Sequence, residues 1–310
     1  MKLAMVFPGQ GSQSVGMLSG FDTYPAVQRT LAEAGAVLGQ DLWTLAAQGP
    51  IEQLNQTVNT QPLMLAADVA VYRAWREAGG MEPAIVAGHS LGEYAALVAA
   101  GALTLAAALP LVRFRAQAMQ EAVPEGVGAM AAIMGLDDVA LGAACAEAAQ
   151  GQIVEPVNYN APGQIVIAGH REAVERAIVA AKAKGAKRGV LLPVSAPFHS
   201  SLLKPAADRL ATYLADVSIA SPTVPVLHNV DARAADGATA IRGALAKQAA
   251  SPVRWVETVQ AFVANGVTHV VECGPGTVLS GLCRRIAPEL EVLPANDGAA
   301  LAAALAAVPS

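Results

Sequence analysis

Residues 87–94 read Ala-Gly-His-Ser-Leu-Gly-Glu-Tyr, which sets Ser90 in a G-x-S-x-G frame. The apolar run 83–87 before it has the composition of a short buried strand, and residues 95–100 after it favour helix. A strand that runs straight into a helix through Gly88 and Gly92 makes a sharp turn. Glycines there let two backbones approach closely, and the serine oxygen is left exposed at a helix N-terminus. The amide of Leu91 would be one of those with no partner inside the helix, so it can stabilise negative charge on a reacting carbonyl. The chemistry this implies is acyl transfer through a covalent acyl-serine. The alternative is a tight strand-to-helix turn with no chemistry, since the pattern is short.

A nucleophilic serine needs a base, and the candidates are His89, His170, His199, His228 and His269. His228 and His269 fall within apolar strand-like runs, which suits satisfied sheet residues, while His170 begins a polar helix start and suits the surface. His199 follows a strand in the proline-bounded loop 195–201, where catalytic side chains concentrate. On spacing alone it stands only slightly ahead of His89, a neighbour of Ser90 better suited to supporting the turn. Near the N-terminus, Gly9-Gln-Gly11 directly follows an apolar run. That places Gln10 near the carboxyl ends of the strands, where it could offer its amide to an oxyanion.

The elements that must hold these residues alternate. Short apolar runs at 3–7, 84–87, 190–194, 224–228 and 267–272 are separated by Ala-rich helical stretches, which is the α/β pattern. Between Gly126 and about Ser195 the texture changes. A strand at 128–134 and a helix at 137–150 lead to a strand pair, 153–158 and 164–168, across Asn160-Ala-Pro-Gly163; a helix at 172–184 and a strand at 189–194 follow. Strand–helix–strand–strand–helix–strand is the ferredoxin-like order. We therefore expect a small ferredoxin-like subdomain at 126–195, inserted in a core made of 1–125 and 196–310.

Composition removes several function classes. The 310 residues are 54% hydrophobic and 15% charged with a net charge of -5, so a large core is available and no charge block suggests nucleic-acid or membrane-surface binding. Small basic clusters at Lys182, Lys184, Lys187, Arg188 and at Arg284, Arg285 are solvated helix faces or a docking face for an acidic protein. The three cysteines show neither a C-x-x-C pair nor metal-ligand spacing, so neither a disulfide framework nor a metal site is expected. The Gly9–Gly16 stretch has Ser14 where a dinucleotide fingerprint needs its third glycine, the Gly274-Pro-Gly276 stretch has Leu279 there, and G-K-[ST] is absent. No nicotinamide or ATP cofactor is expected. The N-terminal apolar run stops at Pro8-Gly9 and no span is long enough for a membrane, which points to the reducing cytoplasm.

Longer motifs extend the argument to the whole chain. F-P-G-Q-G-S-Q at 7–13, Q-P at 61–62, G-H-S-L-G-E-Y at 88–94, Arg115 in R-F-R-A-Q-A-M-Q, and P-E-G-V-G-A-M at 124–130 are followed by N-Y-N-A-P-G-Q at 158–164, P-F-H-S at 197–200, S-P-V-R-W at 251–255 and V-E-C-G-P-G at 271–276. In this order the chain resembles the malonyl-CoA:acyl carrier protein transacylases of bacterial type II fatty acid synthesis and the related acyltransferase domains of polyketide synthases.

The resemblance implies an α/β-hydrolase-like core with a parallel sheet, and roles for particular residues. Ser90 would be the nucleophile and His199 its general base, with the imidazole oriented by the main-chain carbonyl of Gln248 in place of an acidic residue. The backbone amides of Gln10 and Leu91 would form the oxyanion hole. Arg115 would hold the malonyl carboxylate, for which a planar, permanently charged guanidinium is suited. His89 and Asn160 would line the pocket in support. The implied substrates are malonyl-CoA and holo acyl carrier protein, with Lys187, Arg188, Arg284 and Arg285 as the docking face. A malonyl-transferring subunit of a malonate decarboxylase is a second reading, and a thioesterase-type hydrolase a third. G-H-S-L-G-E-Y and P-F-H-S favour the first, and a buried Arg115 is costly in an apolar acyl pocket.

Overall fold

The computed structural model describes residues 1–194 and 196–309. Five strands form a sheet that is parallel throughout: β1 (Leu3–Phe7), β2 (Ile85–Gly88), β7 (Val226–Leu227), β8 (His269–Glu272) and β9 (Glu291–Pro294), in the order β7-β2-β1-β8-β9. A parallel sheet is covered on both faces, so its strands are apolar without alternation. All five residues of Leu-Ala-Met-Val-Phe in β1 are buried. Their alternating directions nevertheless sort them. Leu3, Met5 and Phe7 enter one hydrophobic cluster with the helix Thr57–Glu77, while Ala4 and Val6 enter a second with the helices Trp255–Ala264 and Val278–Ile286.

The segment between β2 and β7 contributes a separate antiparallel sheet of β3 (Gly128–Met134), β4 (Val154–Ala161), β5 (Gln164–His170) and β6 (Arg188–Leu191), ordered β4-β5-β3-β6. The helices Asp138–Ala149 and Arg171–Ala183 cover one of its faces around Ala131, Ile133, Ile165 and Ile167. Strand order and helix placement agree with the ferredoxin-like expectation. Among the contacts that tie this sheet to the rest, Asn158 of β4 pairs with Val253, and the Glu155 carboxylate accepts from Ser201 N and Oγ at 2.8 Å each.

Several strand limits differ from the expected ones. The run 224–228 yields only Val226–Leu227, because Pro225 has no N–H to donate and His228 N turns back to Arg233 O. β6 ends at Leu191, short of Val194, and the expected boundary at Ser195 lies outside the described residues. β9 was not expected at all; it is four residues at the sheet edge, of which only Val292 is buried, and it carries a proline.

Candidate active site

β1 and β2 are parallel neighbours, with Phe7 opposite Gly88, so Gly9-Gln10 and His89-Ser90 leave the sheet side by side at its carboxyl edge. The turn is packed backbone on backbone. A Cβ on Gly88 would come within 1.9 Å of the Gly92 carbonyl, and one on Gly92 within 2.0 Å of Phe7 O. That close approach explains the glycines of the motif, and it holds Ser90 at φ 53°, in the left-handed region that a non-glycine residue rarely adopts. His199 is held likewise, at φ 66°.

The structure brings Ser90 and His199 together, with Oγ 2.7 Å from Nε2. His199 Nδ1 lies 2.8 Å from the main-chain carbonyl of Gln248. A carbonyl can only accept, so Nδ1 carries the proton and Nε2 of the neutral ring accepts from the serine hydroxyl. Burial, and then the positive charge of Arg115, push the His199 pKa down to about 3. The imidazole is therefore unprotonated at neutral pH. His89 is also held below the usual histidine value by burial, against the opposing effect of its bond to Asn160.

Arg115 stands on the helix Leu105–Glu121 and is 1% exposed. Its Nη2 donates to Ser90 Oγ at 3.1 Å and to Gln248 Oε1 at 2.9 Å, Nη1 donates to Gln61 Oε1 at 2.7 Å, and the guanidinium lies 5.4 Å from the Tyr94 ring centre. Nε has no hydrogen-bond partner, and among the described residues no carboxylate comes within ion-pair distance of this side chain. A buried cation with only neutral partners is suited to a ligand that carries the missing negative charge.

A cavity of 110 Å³ opens over Ser90, lined by Gln10, Leu91, Arg115 and His199 and walled on its apolar side by Met119, Met130 and Phe198. Larger clefts lie elsewhere, such as one of 520 Å³ between the helices Pro25–Leu38 and Leu42–Gln48, but the hydrogen-bonded Ser90 and His199 are in the small one. Pockets for drug-sized ligands run from ~300 to 1,000 Å³, so this one suits a short acyl group. The backbone amides of Gln10 and Leu91 flank Ser90 with no acceptor among the described residues. The Gln10 side chain turns away, donating to Thr57 Oγ1 at 3.3 Å.

One expected lining residue is placed differently. The cavity wall takes Asn158 from β4, whereas Asn160 sits behind with its Oδ1 2.8 Å from His89 Nε2, after register shifts in β4 at both Pro156/Asn158 and Tyr159/Ala161. The other histidines are engaged elsewhere. His228 is buried against Glu93, His269 lies 3.1 Å from Glu291, and His170 accepts from Ile153 N. Sequence reasoning missed Gln61, Tyr94, Glu93 and Asn229, all of which touch Ser90, Arg115 or their supports. The signal for Glu93 was its place inside the serine motif.

The two basic clusters flank one turn. Lys187 packs over Gly135, whose amide bonds Gly163 O at 2.8 Å, and from the other side Arg285 donates to Pro162 O at 3.4 Å and to Gln164 Oε1. Arg188 and Arg284 are exposed beside them. Cys145, Cys273 and Cys283 are free and buried. Among the described residues no His, Cys, Asp and Glu group is arranged to hold a metal ion, and no helix is long and apolar enough to cross a membrane.

Residues 4–294 match the model of the acyl transferase domain family. The chain is 57% identical to the malonyl CoA-acyl carrier protein transacylase of Escherichia coli O157:H7, over 98% of this chain and 99% of that one. It superimposes with a TM-score of 0.97 on the acyl-carrier-protein S-malonyltransferase of Burkholderia pseudomallei 1710b, at 59% identity over 99% of this chain and 100% of that one. A malonyl-transacylase solved in complex with its type II PKS acyl-carrier protein gives a TM-score of 0.98 at 54% identity, with 99% and 100% covered. The chain belongs to the acyl transferase family, and within it to the malonyl CoA-acyl carrier protein transacylases.

Proposed function

We propose that Ser90 and His199 carry malonyl from malonyl-CoA to the phosphopantetheine thiol of holo acyl carrier protein through a malonyl-serine intermediate. The observation that carries the choice of acyl group is Arg115, a buried cation with no carboxylate partner, 3.1 Å from the serine oxygen. Glu93, joined to it through Gln248, acts on that charge only at a distance, so an uncharged acyl chain would leave the cation without a direct ionic partner, which disfavours a lipase or thioesterase.

In the first half-reaction His199 Nε2 takes the Ser90 proton as Oγ bonds to the thioester carbon. The carbonyl oxygen becomes an oxyanion that the Gln10 and Leu91 amides stabilise. Collapse breaks the carbon–sulfur bond, and the imidazolium returns its proton to the departing CoA sulfur. In the second half-reaction His199 takes the proton of the carrier thiol as the sulfur attacks the malonyl-serine. Collapse then breaks the ester, and the proton passes back to Ser90 Oγ. The carbonyl of Gln248 holds the ring and stabilises the imidazolium formed in each step, the part that a carboxylate plays in other serine enzymes.

His89, held by Asn160, supports the wall beside the serine. Segment 126–195 acts as an inserted subdomain whose Met130 and Asn158 close the cavity. The acidic carrier docks on Lys187, Arg188, Arg284 and Arg285, around the turn at Pro162–Gly163. The enzyme works in the cytoplasm, a reading supported by three cysteines whose sequence positions suggest no disulfide framework.

The test is incubation with labelled malonyl-CoA followed by holo carrier. Label should first appear on Ser90 and then on the carrier, and Ser90→Ala should accumulate none. Covalent label on the folded Ser90→Ala protein would refute the assignment.

A further inference from the structure

The peptide groups on both sides of the Ser90 Cα are each held by a buried side chain. On the amino side, Asn229 Oδ1 accepts from Ser90 N at 2.6 Å while its Nδ2 donates to Gly88 O at 2.6 Å. On the carboxyl side, Gln248 Nε2 donates to Ser90 O at 2.8 Å. Both supports rest on one carboxylate. Glu93 Oε2 accepts from Asn229 N and from Gln248 Nε2, each at 2.9 Å, and Glu93 Oε1 accepts from His228 Nδ1 at 2.7 Å. Glu93, Asn229 and Gln248 are fully buried. Gln248 also receives Arg115 on its side chain and His199 on its carbonyl, so nucleophile, base and anchor meet in one network.

We infer that Asn229, seated on Glu93, is a positioning residue for the transfer: it holds the strained Ser90 peptide so that Oγ faces His199 and the Leu91 amide faces the reacting carbonyl. This rests on Ser90 being the nucleophile. Asn229 itself touches neither the cavity nor the base. Its amide is the group type the place demands, because one end must accept from an N–H and the other must donate to a C=O. Without it, Ser90 N and Gly88 O lose their partners and the left-handed serine loses one of its restraints. Small displacements of a nucleophile cost rate heavily, while substrate binding through Arg115 is left in place.

The experiment compares Asn229→Ala and Asn229→Asp with the wild type, measuring single-turnover malonylation and locating the label by peptide mass analysis. Folding is followed by circular dichroism. Asn229→Ala should malonylate ~10²-fold more slowly, with the KM for malonyl-CoA within about twofold of the wild type. Asn229→Asp keeps the acceptor toward Ser90 N but turns a second carboxylate oxygen on Gly88 O. Protonation restores the donor, and burial raises the pH at which that happens. Its rate relative to the wild type should therefore climb as pH falls from 8 to ~5.5, which a purely structural defect would not produce. Should the alanine variant not fold, the aspartate profile decides alone. Malonylation of Asn229→Ala at the wild-type rate, or an Asn229→Asp profile parallel to the wild type, overturns the inference. Wild-type label on a residue other than Ser90 overturns the nucleophile assignment itself, which keeps the two failures distinct.

Discussion

Arg115 Nη2 and Ser90 Oγ are hydrogen-bonded at 3.1 Å, so the cation proposed to select the acyl group also touches the oxygen proposed to attack it. The same charge acts on the base: after burial, it is the main influence holding His199 down to about 3. On the proposed roles, acyl selection and proton transfer are thereby coupled electrostatically.

The coupling has a pH signature. A histidine acts as base only when neutral, so activity is lost as pH falls through the His199 pKa. In the free enzyme that lies near 3, far below the usual ~6.5. Thus kcat/KM for acetyl-CoA should stay flat from pH 8 to about 5. A malonyl carboxylate on Arg115 offsets the cation and raises His199, so the acid limb of kcat for malonyl-CoA should sit at higher pH than that of kcat/KM. A kcat/KM limb near 6.5 for both substrates would show that the base is not the buried His199.

Removing that base has a simple expected outcome. His199→Ala should slow malonylation of the enzyme and discharge to the carrier by ~10²-fold or more, since one imidazole serves both steps. Rapid-quench measurement of the two half-reactions checks this. A defect in only one of them would separate the two roles.

Backbone packing under the serine predicts a contrast between two glycines. Gly92→Ala would push a Cβ to 2.0 Å from Phe7 O and should cost ~2 kcal/mol or more. Gly142, in the helix Asp138–Ala149, has nothing within 4 Å of an added Cβ, and Gly142→Ala should stabilise by ~0.5 to 1 kcal/mol. Urea unfolding of both variants is the check.

Much of this architecture is legible in local pattern. The apolar run Leu3–Phe7 and the strand–helix–strand–strand–helix–strand order of segment 126–195 announce elements whose burial depends on period alone. The same holds for Ser90 at its turn, where close glycines leave a trace in sequence. What stayed hidden is non-local. Asn229 meets Ser90 N across 139 positions and lies just past the apolar run 224–228 in no motif, and Gln248 was placed by resemblance, not by any property of its Ala-rich surroundings. Hydrogen bonds between distant loops have no periodicity to betray them. β9 escaped because four residues ending in proline carry almost no pattern.

Docking is tested by charge. Lys187→Glu with Arg285→Glu should raise the KM for the carrier several-fold and leave that for malonyl-CoA unchanged, and added salt should slow the wild type more than the variant. Equal effects on both substrates would remove these residues from the carrier interface.

The central claim, that Arg115 selects a carboxylated acyl group at Ser90, is tested most directly by Arg115→Ala with malonyl-CoA and acetyl-CoA compared in the same assay. Loss of the guanidinium should lower malonyl transfer by ~10²-fold or more, equivalent to ~3 kcal/mol of transition-state stabilisation. Acetyl transfer should be kept or improved, because the pocket no longer holds a cation without a direct ionic partner and His199 regains basicity. Arg115→Lys should rescue malonyl transfer poorly, since an ammonium cannot make two parallel hydrogen bonds to one carboxylate. Malonyl and acetyl transfer falling by the same factor in Arg115→Ala would contradict the account and make the arginine a structural support of Ser90.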